Sequence, residues 1–228
     1  MATVYLIRHG QASFGKENYD QLSERGWEQG RVLGRWLTGK VSPGAVFGGN
    51  LERHRETVEA MASGFGALPD MQAIDGFNEF DHTVVIERAR PQWADRAVMA
   101  RDLAAFPKPA KAFQEAFVAA VQRWAGGQYD DEYPESWPAF KARVIAALDQ
   151  LVEYADGTDV LVATSGGPIA VIVQSLLGLS DEKALALNEV IANTSVTRVL
   201  YSGSRRSLAV FNNYSHLEAD DPALVTFR

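Results

Sequence analysis

The sequence contains no cysteine, which excludes disulfide staples, cysteine-ligated zinc and any hydrolytic mechanism built on a thiolate nucleophile. Histidine is scarce: there are four, at positions 9, 54, 82 and 216. None pairs with another at the H-x-x-x-H spacing that sets two imidazoles on one helix face, so no metal and no cofactor are expected. Long apolar runs are missing as well. No stretch reaches 18 residues, and Thr3-Val4-Tyr5-Leu6-Ile7 follows the first residues without the charged segment and cleavage site of a signal peptide, so a cytoplasmic location without a membrane span is expected. Positive charge is in deficit, with 22 Lys and Arg against 29 Asp and Glu and a net charge of -7. That sign argues against a general nucleic-acid binder or a protein held on anionic lipid, since both need a basic surface to displace counterions.

What is present is the composition of a globular protein. Of 228 residues, 46% are hydrophobic and 22% charged, enough apolar side chain to bury one substantial core in a single domain. Residues 4–7 form a short apolar, β-branched run that suits a strand buried on both faces of a parallel sheet. Ser23 then precedes helical spacing over 24–37, with Gly39 as a stop signal. A second strand over 45–47 and a helix over 51–62 follow, giving a βαβα order. Residues 159–163 read as another buried strand, after which Ser165-Gly166-Gly167-Pro168 opens an apolar helix to 177, the proline fitting the first turn. Residues 195–201 and 208–212 are closing strands. The segment 83–138, rich in Ala and Trp and broken by prolines, reads as a helical insertion covering one sheet edge, with its tryptophans mostly packing residues. The expected fold is α/β: a three-layer sandwich with a mostly parallel central sheet of five or six strands, flanked by helices, with the insertion over the site.

Ligands of open α/β sheets bind beyond the carboxyl ends of the strands, and two strands end there in polar, glycine-containing turns, Arg8-His9-Gly10 and Thr164-Ser165-Gly166-Gly167. Arg53, His54 and Arg55 at the start of the second helix add cations to the same end. Arginine matches phosphate oxygens in bidentate geometry, and a helix N-terminus offers free N–H groups. The ensemble points to a phosphate site, and a neutral His9 beside it is a nucleophile able to accept a phosphoryl group.

These residues resemble the histidine phosphatase superfamily, with its phosphoglycerate mutase-like fold. Leu6-Ile7-Arg8-His9-Gly10 is similar to the family's strand and RHG signature, and Asp20-x-Leu22-Ser23-x-x-Gly26-x-x-Gln29-Gly30 to the segment leading into its first helix. Leu51-Glu52-Arg53-x-x-x-Thr57 resembles its L-x-R-x-x-x-T element, with Gly49 where a serine is usual. Phe77-Asn78-Glu79-Phe80, Asn193-Thr194-Ser195-Val196 and Asn213-Tyr214-Ser215-His216-Leu217 resemble later elements, so the likeness spans nearly the whole chain.

The resemblance implies that His9 is the catalytic nucleophile, that Glu79 is the general acid, and that Arg8 and Arg53 bind phosphate with Ser165 and Gly166. It also marks a departure. Where the family has a second histidine before Gly-Gly, this chain has Ser165, and His82, close to Glu79 in sequence, is the expected auxiliary imidazole. His54 is expected to lie at the surface or behind the site, and His216 to make a structural hydrogen bond. Gln11-Ala12-Ser13-Phe14-Gly15 is unlike the E-S-x-W-N pattern of the mutases. The implied activity is therefore metal-independent phosphomonoester hydrolysis through phosphohistidine, on a phosphorylated small molecule or phosphopeptide. The alternative is an impaired phosphate-ligand binder or interaction protein on the same fold. The aromatics of the insertion permit a homodimer.

Overall fold

Strand β1, Ala2–Arg8, is buried along nearly its whole length. The computed structural model describes residues 1–13 and 20–227; Phe14 and Gly15, which bear on the comparison with mutases, lie outside them. After β1 come α1 (Glu24–Leu37), β2 (Ala45–Gly48), α2 (Glu52–Phe65), β3 (Met71–Ala73), α3 (His82–Ala89), α4 (Arg96–Ala104), α5 (Pro109–Ala125), α6 (Trp137–Ala155), β4 (Val160–Thr164), α7 (Gly166–Leu177), α8 (Asp181–Val190), β5 (Val196–Ser202), β6 (Arg205–Asn213) and α9 (Ser215–Asp220). The strands form one sheet in the order β3-β2-β4-β1-β5-β6. The first four run parallel, while β5 pairs antiparallel with β1 and β6 antiparallel with β5. This is the α/β fold with a six-stranded, mostly parallel sheet.

Local chemistry sets the element bounds. The Ser23 hydroxyl accepts from Gly26 N at 3.1 Å and caps α1, as its side-chain type predicts. At its other end α7 stops at Gly178, whose φ of 64° is a left-handed conformation that favours glycine. Leu33 and Leu37 of α1 and Val58 and Met61 of α2 pack with Tyr5, Ile7, Val46 and Leu161 on one face of the sheet. Val4 and Leu6, which alternate to the opposite face, are also fully enclosed, so both faces are covered.

The chain divides into two compact units. One takes Met1–Glu79 and the described residues from Val144 onward, and holds the sheet; the other is Phe80–Arg143. The helical unit is wider at both ends than the insertion expected over 83–138. Pro91, Pro107 and Pro134 fall between its α-helices, while Pro109 opens α5 and Pro138 sits in the first turn of α6. Its core is aromatic. Phe80, Trp124, Trp137 and Phe140 meet with ring centroids 4.7 to 5.7 Å apart, and Trp93 is buried too, in line with packing roles for its tryptophans. Helix α4 buries no residue.

Candidate active site

The end of β1 is clamped from both sides. His9 N donates to Thr164 O of β4 at 2.8 Å and Arg8 N to Ser195 O at 3.2 Å, while Thr194 N donates to Arg8 O at 2.9 Å. The Asn193 amide donates to the His9 carbonyl at 3.0 Å. Gly10 N donates to Thr57 Oγ1 at 3.0 Å, and that hydroxyl donates on to Arg53 O at 2.6 Å. Thr57 therefore ties α2 to the turn that carries His9. Gly10 passes so close to α1 that a Cβ there would lie 2.6 Å from Gly26 O, a space only glycine tolerates.

His9 is buried, 7% exposed. Its Nδ1 lies 2.7 Å from the Gly10 carbonyl. A carbonyl can only accept, so the proton of the neutral ring sits on Nδ1 and Nε2 carries the lone pair. Burial, then the nearby charges of Arg53 and Arg8, and then His54, hold its pKa well below the usual histidine value. The ring is thus an uncharged imidazole with a defined tautomer, next to two guanidinium groups.

Arg53, in the first turn of α2, is almost as enclosed, and its Nη1 donates to Asp20 Oδ1 at 2.5 Å. Asp20 also accepts from Glu52 N at 2.7 Å through its other oxygen, so one carboxylate holds both the arginine and the start of α2. Arg8 donates from Nη1 to the carbonyls of Ile191 and Phe227. Glu79 accepts from Gly167 N at 3.1 Å, which places its carboxylate at the start of α7.

Ser165 stands at the N-cap of α7 but makes no side-chain capping bond. Its hydroxyl lies 2.8 Å from His54 Nε2, and both residues are fully buried. Gly166 fits because a Cβ there would come within 2.2 Å of Asn188 Oδ1. Arg8 pairs in register with Thr164, so the loops bearing His9 and Ser165 leave the sheet side by side.

His54 takes the second of the two places expected for it, behind the site: it is fully buried and its ring centroid is 5.9 Å from that of His9. One expectation is corrected: the Arg53-His54-Arg55 run does not supply three cations to the site. Burial, with the Arg53 charge second, pushes the His54 pKa down to about 3, so it is uncharged, and Arg55 is exposed beside Glu52 and Glu59. Nothing in an isolated sequence says which way a helical side chain beside an arginine points. A signal did exist in combination: histidine is absent at 165, a side chain is absent at 49, and an extra histidine follows Arg53.

His216 is buried, with Nε2 3.4 Å from Thr194 Oγ1 and its ring 5.6 Å from that of Trp36. His82 is the first residue of α3 in the helical unit, a helix capped by the Asp81 carboxylate. Among the described residues no group of three or more His, Asp or Glu side chains is arranged to hold a metal ion, and no helix is long and apolar enough to cross a membrane.

A family model for the histidine phosphatase superfamily (branch 1) matches residues 4–124 and 91–214. No curated protein matches the sequence. Among solved structures, the chain is similar to YhfR of Bacillus stearothermophilus, at 19% identity and a TM-score of 0.68 over 95% of this chain and 100% of that one. A phosphoglycerate mutase from Bacillus anthracis str. Sterne gives 18% and 0.65 over 95% of both chains. A mutant phosphoserine phosphatase from Entamoeba histolytica, in complex with phosphoserine, gives 16% and 0.65 over 95% of this chain and 100% of that one. At these identities the structures share a fold, and the sequence match carries the assignment: the chain belongs to branch 1 of the histidine phosphatase superfamily.

Proposed function

We propose that the chain is a metal-independent phosphomonoesterase working through phosphohistidine at His9, within one functional domain of which the helical segment is an insertion. The observation that carries this reading is the state of His9. A buried, neutral imidazole with its proton fixed on Nδ1 by Gly10 keeps Nε2 as a nucleophile over a wide pH range.

In the first step the His9 Nε2–P bond forms as the P–O bond to the leaving alcohol breaks. Glu79 gives its proton to that oxygen. Arg8 and Arg53 neutralise the phosphoryl oxygens, with Ser165 and the backbone at Gly166 completing the cradle. Arg53 must exchange part of its contact with Asp20 for the phosphoryl group. In the second step water attacks phosphorus, Glu79 takes its proton, and the N–P bond breaks to release inorganic phosphate. Phosphorylated small molecules are the substrate class that best fits the fold's relatives.

Initial-rate hydrolysis of an aryl phosphate with EDTA present tests the reading, wild type beside His9→Ala. Turnover by wild type, abolished in His9→Ala, is expected. One observation favours a second reading: Ser165 stands where the family resemblance expects an imidazole. Tight binding of inorganic phosphate without hydrolysis selects that non-catalytic binder.

A further inference from the structure

Ser165 Oγ and His54 Nε2 form a fully buried polar pair, 5.9 Å from the ring of the nucleophile measured from the ring of His54. We propose that His54 is a positioning residue for phosphoryl transfer, donating from Nε2 to Ser165 Oγ so that the Ser165 hydroxyl proton points to an oxygen of the phosphoryl group on His9. This rests on the reading of His9 as the nucleophile.

The tautomer follows from satisfying buried groups. A neutral imidazole has one proton and two nitrogens. The Gly49 backbone favours a proton on the ring as a hydrogen-bond acceptor, but it stands outside hydrogen-bonding geometry of Nδ1, which has no partner among the described residues. A proton there would be an orphaned buried donor, which proteins avoid. On Nε2 it meets Ser165 Oγ. The serine oxygen is then occupied as an acceptor, and its own proton is available to something else. It is not used as an acceptor for the start of α7, where Ser165 makes no cap bond.

The seat of the ring is built on two sides. A Cβ at Gly49 would come within 2.5 Å of His54 Nδ1 and 2.5 Å of Asn78 Oδ1, so a side chain there displaces the imidazole. On the other side Ser165 is short enough to leave 2.8 Å to Nε2. A longer side chain at 165 meets His54. The three positions therefore form one unit: Gly49 makes room, His54 fills it, and Ser165 passes the hydrogen bond on.

The test measures kcat and KM for aryl phosphate hydrolysis and, by calorimetry, the binding of inorganic phosphate, for wild type, His54→Leu, His54→Gln, Ser165→Ala and Ser165→Ala/His54→Leu. We expect His54→Leu and Ser165→Ala each to lower kcat by roughly 100-fold, as loss of one preorganised donor does. The double variant should fall no further than about threefold below the worse single, because the residues act as a unit. His54→Gln, with an amide N–H near the place of Nε2, should recover to within about tenfold of wild type.

Additive losses, no recovery in His54→Gln, or a folded His54→Leu with near-normal kcat overturn the proposal. Should His54→Leu fail to fold, Ser165→Ala and His54→Gln decide by the same criteria. If wild type does not hydrolyse, the proposed function falls, and phosphate binding decides this inference. Equal weakening in Ser165→Ala and His54→Leu, about tenfold or more, sustains it; unchanged binding, or a wild type that binds no phosphate, ends it.

Discussion

Asn193 donates to the His9 carbonyl at 3.0 Å across 184 positions of sequence, and its side-chain oxygen accepts the Thr226 hydroxyl at 2.9 Å. One buried amide thus joins the nucleophile loop to the last described residues. Asn193→Ala removes the shorter of the two bonds to that carbonyl, since Thr194 N is 3.4 Å away. The expected cost is about 1–3 kcal/mol, read from urea denaturation, together with a fall in kcat as His9 loses its register.

Acid should destabilise the fold well above the carboxylate range. His54 and His216 have pKa values pushed down to about 3 and about 4 by burial, and His9 is lowered in the same direction by burial and the nearby arginines. The unfolded chain protonates these rings near pH 6.5, whereas the native state does not. Their contribution to stability is complete above that pH and is lost as pH falls toward the folded values. Each ring adds a slope of up to about 1.4 kcal/mol per pH unit in that window. Denaturant midpoints between pH 4 and pH 7 check this, and a flat profile contradicts it.

Glu79→Gln keeps an oxygen able to accept from Gly167 N–H but cannot supply a proton. Hydrolysis of alkyl phosphates, whose leaving oxygen needs that proton, should fall by roughly 100- to 10,000-fold. An aryl phosphate with an acidic phenol should lose much less. Equal losses for both substrates would remove the general-acid role.

Trp124 lies at the centre of the aromatic group of the helical unit, 1% exposed, and donates from its indole to Glu135 O at 2.8 Å. Trp124→Ala should destabilise that unit by about 3–5 kcal/mol. Near-ultraviolet circular dichroism during melting would report it as an earlier transition.

Much of this was legible in the sequence where the signals were strong. Ser23 with the apolar spacing behind it specified α1 from 24 to 37, and the continuous apolar runs at 4–7 and 159–163 marked two strands that pair in the middle of the sheet. The RHG turn, Arg53 and Glu79 were visible from their motifs. Strand β3 has three residues and one neighbour, too short for a periodic pattern. Helix α4 buries nothing, so no apolar stripe announced it. Which of its two expected places His54 takes was open for a different reason: its direction depends on how α2 packs against the strands and α1. Ser165 was expected to contact phosphate, and only the placement of His54 shows that its hydroxyl already has a buried partner.

The pairing of β1 with β4 also has a consequence for biosynthesis. Thr3 N donates to Asp159 Oδ1, 156 residues further along the chain, and Val4 through Arg8 find their parallel partners only between Val160 and Thr164. As the nascent polypeptide leaves the ribosome, both edges of this apolar strand therefore stay without their partners, β4 and then β5, until most of the chain has been made. Closing so long a loop is slow, and a bare strand edge invites pairing with other chains. The nucleophile itself emerges early, but its setting forms only in the late stages of synthesis.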